Sequence, residues 1–151
     1  MPAEVEIAPV AASEFEELLP LIAAYQRFYE VEDIDDGRNR AFFRRFLGPS
    51  EDGLLLGARS GGRLVGYACL YWHFSSLEAC ESVLMNDLYV DGAARGQGVG
   101  RALIEAAAGV AREREVPFVE WSTAPDNETA QRLYDSTGAE RTEWFSYELR
   151  V

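Results

Sequence analysis

The amino-acid sequence predicts a single α/β domain over residues 1–151, with a mixed, mostly antiparallel sheet flanked by helices. Three observations support this class. The length matches one domain of roughly 100–200 residues. The apolar fraction, 48%, is sufficient for a packed core. Short runs of alternating apolar residues, typical of strands, are interspersed with longer runs at helical spacing.

The first part of the chain begins with a short predicted strand, Val5–Val10, and then becomes helical. Ser13 and Glu16 have the spacing of a capping box, and apolar residues follow every three or four positions. Pro20 lies inside that pattern, so we expect a kink or a break there. An acidic connector then leads to a second predicted helix, Arg38–Leu47, which ends before a Gly-Pro pair.

Three consecutive strands joined as antiparallel hairpins are predicted next. Their ranges are Leu54–Arg59, Arg63–Phe74 and Glu81–Val90. If the second hairpin turns near residues 77–78, Cys69 lies opposite Asn86 and Cys80 lies near Ser75. The two sulfurs are then far apart, so we expect free thiols and no disulfide.

The remaining elements alternate between helix and strand. A long Ala-rich helix is predicted at Val99–Glu115 and a strand at Pro117–Thr123. The next helix has Asp126 or Asn127 as its N-cap and ends at Thr137, because the following glycine is suited to stop it. The chain closes with two predicted strand segments, Ala139–Arg141 and Trp144–Leu149.

The charge of the chain restricts its partners. It carries 26 Asp+Glu against 14 Lys+Arg, a formal net charge of −12, and every basic residue is an arginine. The missing lysine excludes a Walker-A phosphate loop and a lysine Schiff base. We do not expect so acidic a chain to bind nucleic acid or an anionic membrane, and a cationic partner suits it better.

Metal ions and targeting signals are not indicated either. Two cysteines and one histidine cannot form a four-ligand Cys/His zinc site, so we predict no metal. The N-terminus lacks the pattern of a signal sequence, and no apolar run approaches the roughly 18 residues that span a membrane. We therefore expect a soluble, cytoplasmic protein.

The most specific feature is a glycine-rich turn between a predicted strand and the long helix. It comprises Arg95, Gly96, Gln97, Gly98, Val99, Gly100 and Arg101. Its glycines let backbone N–H groups point into one concavity, and the helix N-terminus adds partial positive charge. With two arginines and no acid between Asp91 and Glu105, the turn predicts an anion site that suits a pyrophosphate.

Three segments resemble the GCN5-related N-acetyltransferase (GNAT) family in order and spacing. Arg95, Gly98 and Gly100 fit its Q/R-x-x-G-x-G/A pattern. Leu88-Tyr89-Val90 matches the stretch ahead of that turn, and residues 127–139 match an N-x-x-A-x-x-x-Y motif followed by Gly-Ala. Within the family, Met85–Val90 is closest to polyamine and thialysine acetyltransferases and to the yeast histone/D-amino-acid acetyltransferases.

The resemblance implies the GNAT fold, in which two central parallel strands splay apart and acetyl-CoA lies in the gap. It places the pyrophosphate on the N–H groups of residues 95–101 and the pantetheine along Leu88–Val90. It also places Asn127 at the pantetheine arm and Tyr134 near the sulfur.

Acetyl transfer to an amine requires a base and an acid. A primary amine with a pKa of about 10.4 is only about 0.1% neutral near pH 7.4, a handicap of ~4 kcal/mol. The resemblance assigns the acid to Tyr134, which protonates the departing thiolate. Asn86 stands where polyamine acetyltransferases carry a candidate glutamate base, and an amide cannot take a proton. Asp87 either binds the cation, relays a proton through water, or makes a structural hydrogen bond in the strand.

The acceptor site is the least defined part of the prediction. Candidate contacts are Glu30 and Asp33 of the acidic connector, Trp72, His73 and Asp87. The aromatic residues Tyr25, Phe28, Tyr29, Trp72 and Phe74 either line an acceptor pocket or belong to the core. The leading acceptor is the primary amine of a small cationic or amino-acid-like compound. Protein or peptide amines, or a domain that senses acyl-CoA without catalysis, are the alternatives. The resemblance also implies a homodimer, with the C-terminal strand near the contact.

Overall fold

The computed structural model describes residues 4–151 and has the predicted α/β architecture. Its elements, in chain order, are β1 (Val5–Pro9), α1 (Phe15–Phe28), α2 (Asp36–Phe43), β2 (Gly53–Ser60), β3 (Arg63–Ser75), β4 (Cys80–Val90), α3 (Val99–Glu113), β5 (Val119–Glu120) and α4 (Glu128–Asp135). The strands form one sheet in the order β1-β2-β3-β4-β5. All neighbours are antiparallel except β4 and β5, which confirms the mixed, mostly antiparallel sheet.

The sheet separates two apolar layers. On one face, Leu18 and Ile22 of α1 pack in a cluster that includes Tyr67 of β3. On the other face, Val99 and Leu103 of α3 pack in a second cluster. Strand β3 serves both layers because successive side chains of a strand point to opposite faces. Of the helices within residues 4–151, none is long and apolar enough to cross a membrane.

Helix α1 runs unbroken through Pro20, so the predicted break is wrong. A proline removes one backbone hydrogen bond and crowds the preceding turn. Leu18 and Ile22, on either side of Pro20, are fully buried against the sheet. Packing of this apolar stripe therefore outweighs the local preference of the proline.

The start of α1 also differs from the prediction. A 3-10 turn at Ala12–Glu14 precedes the helix, so Ser13 lies inside a turn and does not form the predicted capping box with Glu16. Instead, the Oε1 atom of Glu14 accepts a hydrogen bond from the Ala11 N–H at 2.9 Å. A carboxylate still satisfies a free N–H at this end.

Helix α2 begins earlier than the predicted Arg38–Leu47. The Asp35 carboxylate accepts a hydrogen bond from the Arg38 N–H at 2.8 Å, which makes Asp35 the N-cap. The helix tightens into a 3-10 turn at Arg44–Phe46. Phe43 and Phe46 are buried in the same cluster as α1, so this short segment covers the sheet beside α1.

The β3–β4 hairpin has one extra residue in β4, which the prediction did not include. Cys69 pairs with Asp87, and not with Asn86, because a β-bulge interrupts the ladder between Cys69 and Leu70 and leaves Asn86 without a partner. A bulge cannot be located from alternation alone. Cys80 pairs with Ser75 as predicted, and both thiols are free.

The C-terminal strands predicted at Ala139–Arg141 and Trp144–Leu149 are absent: residues 139–151 have no regular structure and are exposed throughout. The strand predicted at Pro117–Thr123 is reduced to β5, whose pairs all lie on the β4 side. Alternation of apolar residues predicts which segments can form strands, and it does not show which of them pair. Gly138, with φ of +87°, does follow α4 as predicted.

Candidate active site

Strands β4 and β5 separate soon after they meet. Their register contains two pairs, Val83 with Val119 and Leu84 with Glu120. Beyond these pairs, residues 85–90 of β4 pair only with β3 and leave their other edge open. Such an edge offers N–H and C=O groups to an extended ligand. The predicted splay of the central parallel strands is therefore confirmed.

The open edge of β4 leads into the glycine turn. Gly96 and Gly98 have φ of +78° and +81°, a backbone conformation that residues with a Cβ rarely adopt. Helix α3 starts at Val99 with Gly98 as its N-cap, so its first N–H groups have no intrahelical partner. The turn therefore presents backbone donors and the positive end of the helix dipole beside the cleft.

The other residues of the turn are divided between solvent and core. Gln97 is exposed, whereas Val99 is buried in the layer under α3 and can offer a ligand only its backbone. A Cβ atom added to Gly100 would come within 2.9 Å of the Leu133 Cδ2 atom. Because Gly100 has no side chain, α3 can pack close to α4 at this point.

The two arginines predicted at the anion site both stay at the turn. The Arg95 Nε–H donates to the Val90 carbonyl at 3.0 Å, and its guanidinium lies 5.8 Å from the centre of the Tyr89 ring. Arg101 donates to the Ser136 hydroxyl at the end of α4. These contacts keep two positive charges at the mouth of the cleft in a chain of net charge −12.

Two adjacent cavities open in this region. The smaller, of about 20 Å³, lies in the splay and is lined by Tyr25, Tyr29, Met85, Asn86, Leu88, Trp121, Ser122 and Tyr134. The larger, of about 380 Å³, is lined by Phe28, Tyr29, Glu30, Ala124, Asp126 and Asn127. Tyr29 borders both cavities. The smaller one has room for about one water molecule.

Tyr134 of α4 lies in the smaller cavity with its ring edge-on to Trp121, 5.5 Å between centres. Burial raises the pKa of the Tyr134 hydroxyl, and the nearby Tyr29 raises it further. The phenol therefore holds its proton at neutral pH, which an acid requires. The structure places this residue beside the open edge of β4.

Asp87 lies beneath the bulge and is only 3% exposed. Its Oδ1 accepts a hydrogen bond from the Asn86 side-chain amide at 2.7 Å, and its Oδ2 accepts one from the Tyr67 hydroxyl at 3.1 Å. Burial raises the pKa of Asp87 to about 6, against the opposing effect of these two bonds. The carboxylate thus ties the bulge to β3, while Asn86 itself is exposed in the cavity.

Asn127 and Glu30 both line the larger cavity. The Asn127 Oδ1 accepts a hydrogen bond from the Ala130 N–H at 3.2 Å, so the residue is the N-cap of α4 as predicted. Glu30 follows α1 with φ of +59° and is exposed. Asp126, the other N-cap candidate, lines the same cavity and adds a second acid to it.

Three other predicted acceptor contacts lie outside both cavities. The Trp72 Nε1–H donates to the Ser50 carbonyl at 3.0 Å, and the Arg114 guanidinium lies 3.6 Å from the centre of its ring. His73 pairs with Glu120 through Nδ1 and Oε1 at 3.2 Å. Asp33 pairs with Arg38 at 3.3 Å, in solvent. In the part of the chain described, no three His, Cys, Asp or Glu side chains could hold a metal ion.

Sequence reasoning left two members of this cluster open between pocket and core, and it missed Tyr67. Tyr25 and Tyr29 were predicted only as pocket or core residues, and their spacing of one helical turn puts both on the face of α1 that reaches the cleft. The Tyr25 hydroxyl donates to the Asn86 carbonyl at 3.4 Å. Tyr67 carries no sequence signal beyond that of a buried strand residue, because its contact with Asp87 depends on the bulge.

Comparisons with known proteins agree with this geometry. The family model described as Acetyltransferase (GNAT) family matches residues 18–139. The chain is 42% identical over 94 residues to the D-amino-acid N-acetyltransferase of Saccharomyces cerevisiae, covering 61% of this chain and 58% of that enzyme. The matched stretch therefore spans less than two thirds of the yeast protein. An uncharacterized N-acetyltransferase of Bacillus subtilis is 30% identical over 129 residues, 85% of each chain.

Solved structures show the same fold. The ribosomal-protein-alanine N-acetyltransferase of Brucella melitensis biovar Abortus superposes with a TM-score of 0.79 at 27% identity. That match covers 98% of this chain and 99% of the other.

Proposed function

This chain belongs to the GNAT family of acetyl-CoA-dependent acetyltransferases, and on that premise we propose that it acetylates the primary amine of a small cationic or amino-acid-like acceptor. The observation that carries the proposal is the convergence of three features on one cleft. These features are the open edge of β4, the glycine turn and the hydroxyl of Tyr134.

The donor is accommodated by backbone more than by side chains. The N–H groups of residues 95–101 and the guanidinium of Arg95 suit the pyrophosphate. The free edge at Leu88–Val90 suits the amides of the pantetheine arm, because both partners can pair in an extended conformation. Asn127, which borders the larger cavity, is positioned to contact that arm.

The reaction is a direct attack of the amine nitrogen on the thioester carbon. The C–S bond breaks, the CoA thiolate takes the phenolic proton of Tyr134, and the amine proton leaves to a base. Backbone N–H groups at the end of β4 stabilise the charge that develops on the thioester oxygen. The position of Tyr134 in the smaller cavity, beside Leu88 of the open β4 edge, supports its role as the acid.

The base is proposed to act indirectly. Asp87 is too buried to touch a cationic acceptor, and both of its oxygens already accept hydrogen bonds. A pKa of about 6 leaves it ionised at neutral pH. It can therefore receive a proton that water carries past Asn86, or hold the bulge in place without titrating during turnover.

The acceptor class rests on charge and on one relative. Glu30 and Asp126 give the larger cavity two carboxylates, which attract a cationic amine. The yeast relative acts on D-amino acids, which supports an acceptor carrying both an amine and a carboxylate. The Brucella structure, whose name specifies a ribosomal-protein alanine, keeps peptide N-termini as the second candidate.

The experiment is CoA-thiol release from acetyl-CoA over a panel of polyamines, D- and L-amino acids, aminoglycosides and peptides with a free N-terminus. We expect a small amine to accelerate release most. Tyr134→Phe should lower turnover by about 10²–10⁴-fold and leave CoA affinity unchanged. Tyr71→Phe is the matched control, since Tyr71 stacks on Phe46 in the α1 layer. If no amine accelerates release while CoA still binds, the chain is a sensor and the proposal is wrong.

Two further properties stay predictions. A homodimer follows from the resemblance to the family, and a cytoplasmic location is the expectation from the sequence pattern.

A further inference from the structure

Helix α4 carries Tyr134, and its own length gives it little stability. It comprises eight residues, Glu128–Asp135, and none of them is fully buried. A helix this short is not stable by itself in water, so its position depends on tertiary contacts. The Tyr134 ring makes one of these contacts, edge-on to Trp121 at 5.5 Å between centres. The placement of the proposed acid therefore depends on what else α4 touches.

Two further contacts of this helix end are made with the glycine turn, one on each side of Tyr134 in the sequence. Leu133 packs on the backbone of Gly100, where an added Cβ would come within 2.9 Å of the Leu133 Cδ2 atom. The Arg101 guanidinium donates to the Ser136 hydroxyl. The residue before Tyr134 and the residue two positions after it thus both rest on the turn that suits the pyrophosphate.

Ser136 joins Arg101 to the backbone of α4. It is the C-cap of the helix, and its N–H and its hydroxyl both donate to the Leu133 carbonyl, at 3.1 and 2.6 Å. The same hydroxyl oxygen accepts the hydrogen bond from Arg101. A cation at a helix C-terminus also interacts favourably with the helix dipole. The position of the Arg101 guanidinium therefore acts on the last turn of α4, which carries Tyr134.

Arg101 can keep this contact and bind a phosphate at the same time. A guanidinium has five N–H donors in a planar fork, and the contact with Ser136 uses only Nη2. The remaining donors suit phosphate oxygens, which arginine binds through two parallel hydrogen bonds. An anion at the turn therefore orients the same guanidinium that contacts α4.

We propose that Ser136 is a positioning residue, which through Arg101 links a phosphate group bound at the glycine turn to the placement of Tyr134. The inference rests on the proposed function for the role of Tyr134, whereas the link itself needs only the chain and an anion. The phosphate end of acetyl-CoA then both holds the cofactor and fixes the acid beside the thioester. Binding energy from a non-reacting part of a substrate is used in this way to orient the reacting groups.

The first test follows the indole N–H signals in a proton–nitrogen NMR spectrum while inorganic pyrophosphate is added without acetyl-CoA. The chain has three tryptophans, and the signal of Trp121 is assigned from Trp121→Phe. Because Trp121 contacts Tyr134, its signal should shift as the turn is filled. Trp72, whose indole N–H donates to the Ser50 carbonyl, is the internal reference and should not shift.

Two variants separate the link from binding itself. In Ser136→Ala, the glycine amide signals of the turn should still shift with pyrophosphate, whereas the Trp121 signal should stay in place. Thr129→Ala is the matched control, because it removes another exposed hydroxyl of α4, one that accepts from an arginine of the same helix. It should respond like the wild type. A Trp121 signal that does not move in the wild type, or that moves equally in Ser136→Ala, overturns the proposal.

Steady-state kinetics with acetyl-CoA then tests the positioning. Ser136→Ala should lower kcat about twofold to tenfold and leave the KM for acetyl-CoA unchanged, because the turn still binds the cofactor while the acid is less well placed. Ser136→Thr keeps a hydroxyl and should restore kcat. An unchanged kcat in Ser136→Ala overturns the proposal, whatever happens to KM. If no amine is acetylated, the proposed function fails, and the spectra alone decide the link.

Discussion

Replacing Asp87 with asparagine should remove a specific pH dependence of stability. Asp87 is 3% exposed, and burial raises its pKa from 3.8 to about 6. The folded protein therefore binds a proton more tightly at this site than the unfolded chain does. Stability attributable to this site is greatest well below pH 4, where Asp87 is protonated in both the folded and the unfolded state. It declines as the pH rises toward 6, because ionisation then opposes folding.

The magnitude follows from the size of the shift. Each pKa unit corresponds to about 1.4 kcal/mol, so a shift of this size lowers the free energy of unfolding by about 2 kcal/mol between pH 4 and pH 7. The amide that Asp87→Asn introduces cannot ionise, so the variant lacks this decline. The variant does lose an acceptor, since two side-chain amides then face each other at the Asn86 contact. That loss does not depend on pH over this range.

The assay is urea unfolding of both proteins at several pH values from 4 to 7. The free energy of unfolding of the wild type minus that of Asp87→Asn should fall by about 2 kcal/mol as the pH rises from 4 to 7. Taking this difference cancels the contributions of the other carboxylates to the pH dependence. One of them is Glu14, whose pKa is lowered by its hydrogen bonds with the Ala11 backbone and with Arg59. A constant difference, or one that rises with pH, would refute the assignment of a raised pKa to Asp87.

Three further predictions concern stability and thiol chemistry. Gly98→Ala should lower the free energy of unfolding by about 1–2 kcal/mol, because Gly98 has a positive φ. Gly109→Ala in α3 should raise it by about 0.5–1 kcal/mol, because an added Cβ meets no atom within 4 Å there. Urea unfolding that finds Gly98→Ala more stable than Gly109→Ala would contradict this. Leu103→Ala should lose roughly 2–5 kcal/mol because Leu103 is fully buried, and a loss under about 1 kcal/mol by the same assay would contradict it. A thiol reagent should label Cys80 but not the buried Cys69 in the folded protein, as peptide mass spectrometry would show; equal labelling would be the contrary result.

The features predictable from the sequence are those with local causes. The glycine turn was predictable because only residues such as Gly96 and Gly98 adopt a positive φ without strain. Asn127 was predictable as an N-cap because its side chain bonds to a backbone N–H three residues on. The β2–β3 hairpin was predictable because Gly61 and Gly62 mark its turn between two apolar runs.

The rest depends on packing. The bulge at Asn86 shifts the register by one residue, and with it the position of Asp87, but alternation on both sides of it is normal. Trp72 was expected in the cleft, but its side chain lies on the other face of β3 and packs against the apolar layer under α3. The C-terminal strand was expected from its pattern, but residues 144–151 pair with no strand of the sheet.

The most direct measurement follows the acetyl group itself. Acetyl-CoA carrying a deuterated acetyl group is incubated with the protein and with the amine that most accelerates thiol release, and the products are weighed by mass spectrometry. The proposed function predicts that the label moves to the acceptor nitrogen in amounts equal to the thiol released, and that Tyr134→Phe lowers both together. Label recovered as free acetate, with an unmodified acceptor, would contradict transfer to an amine.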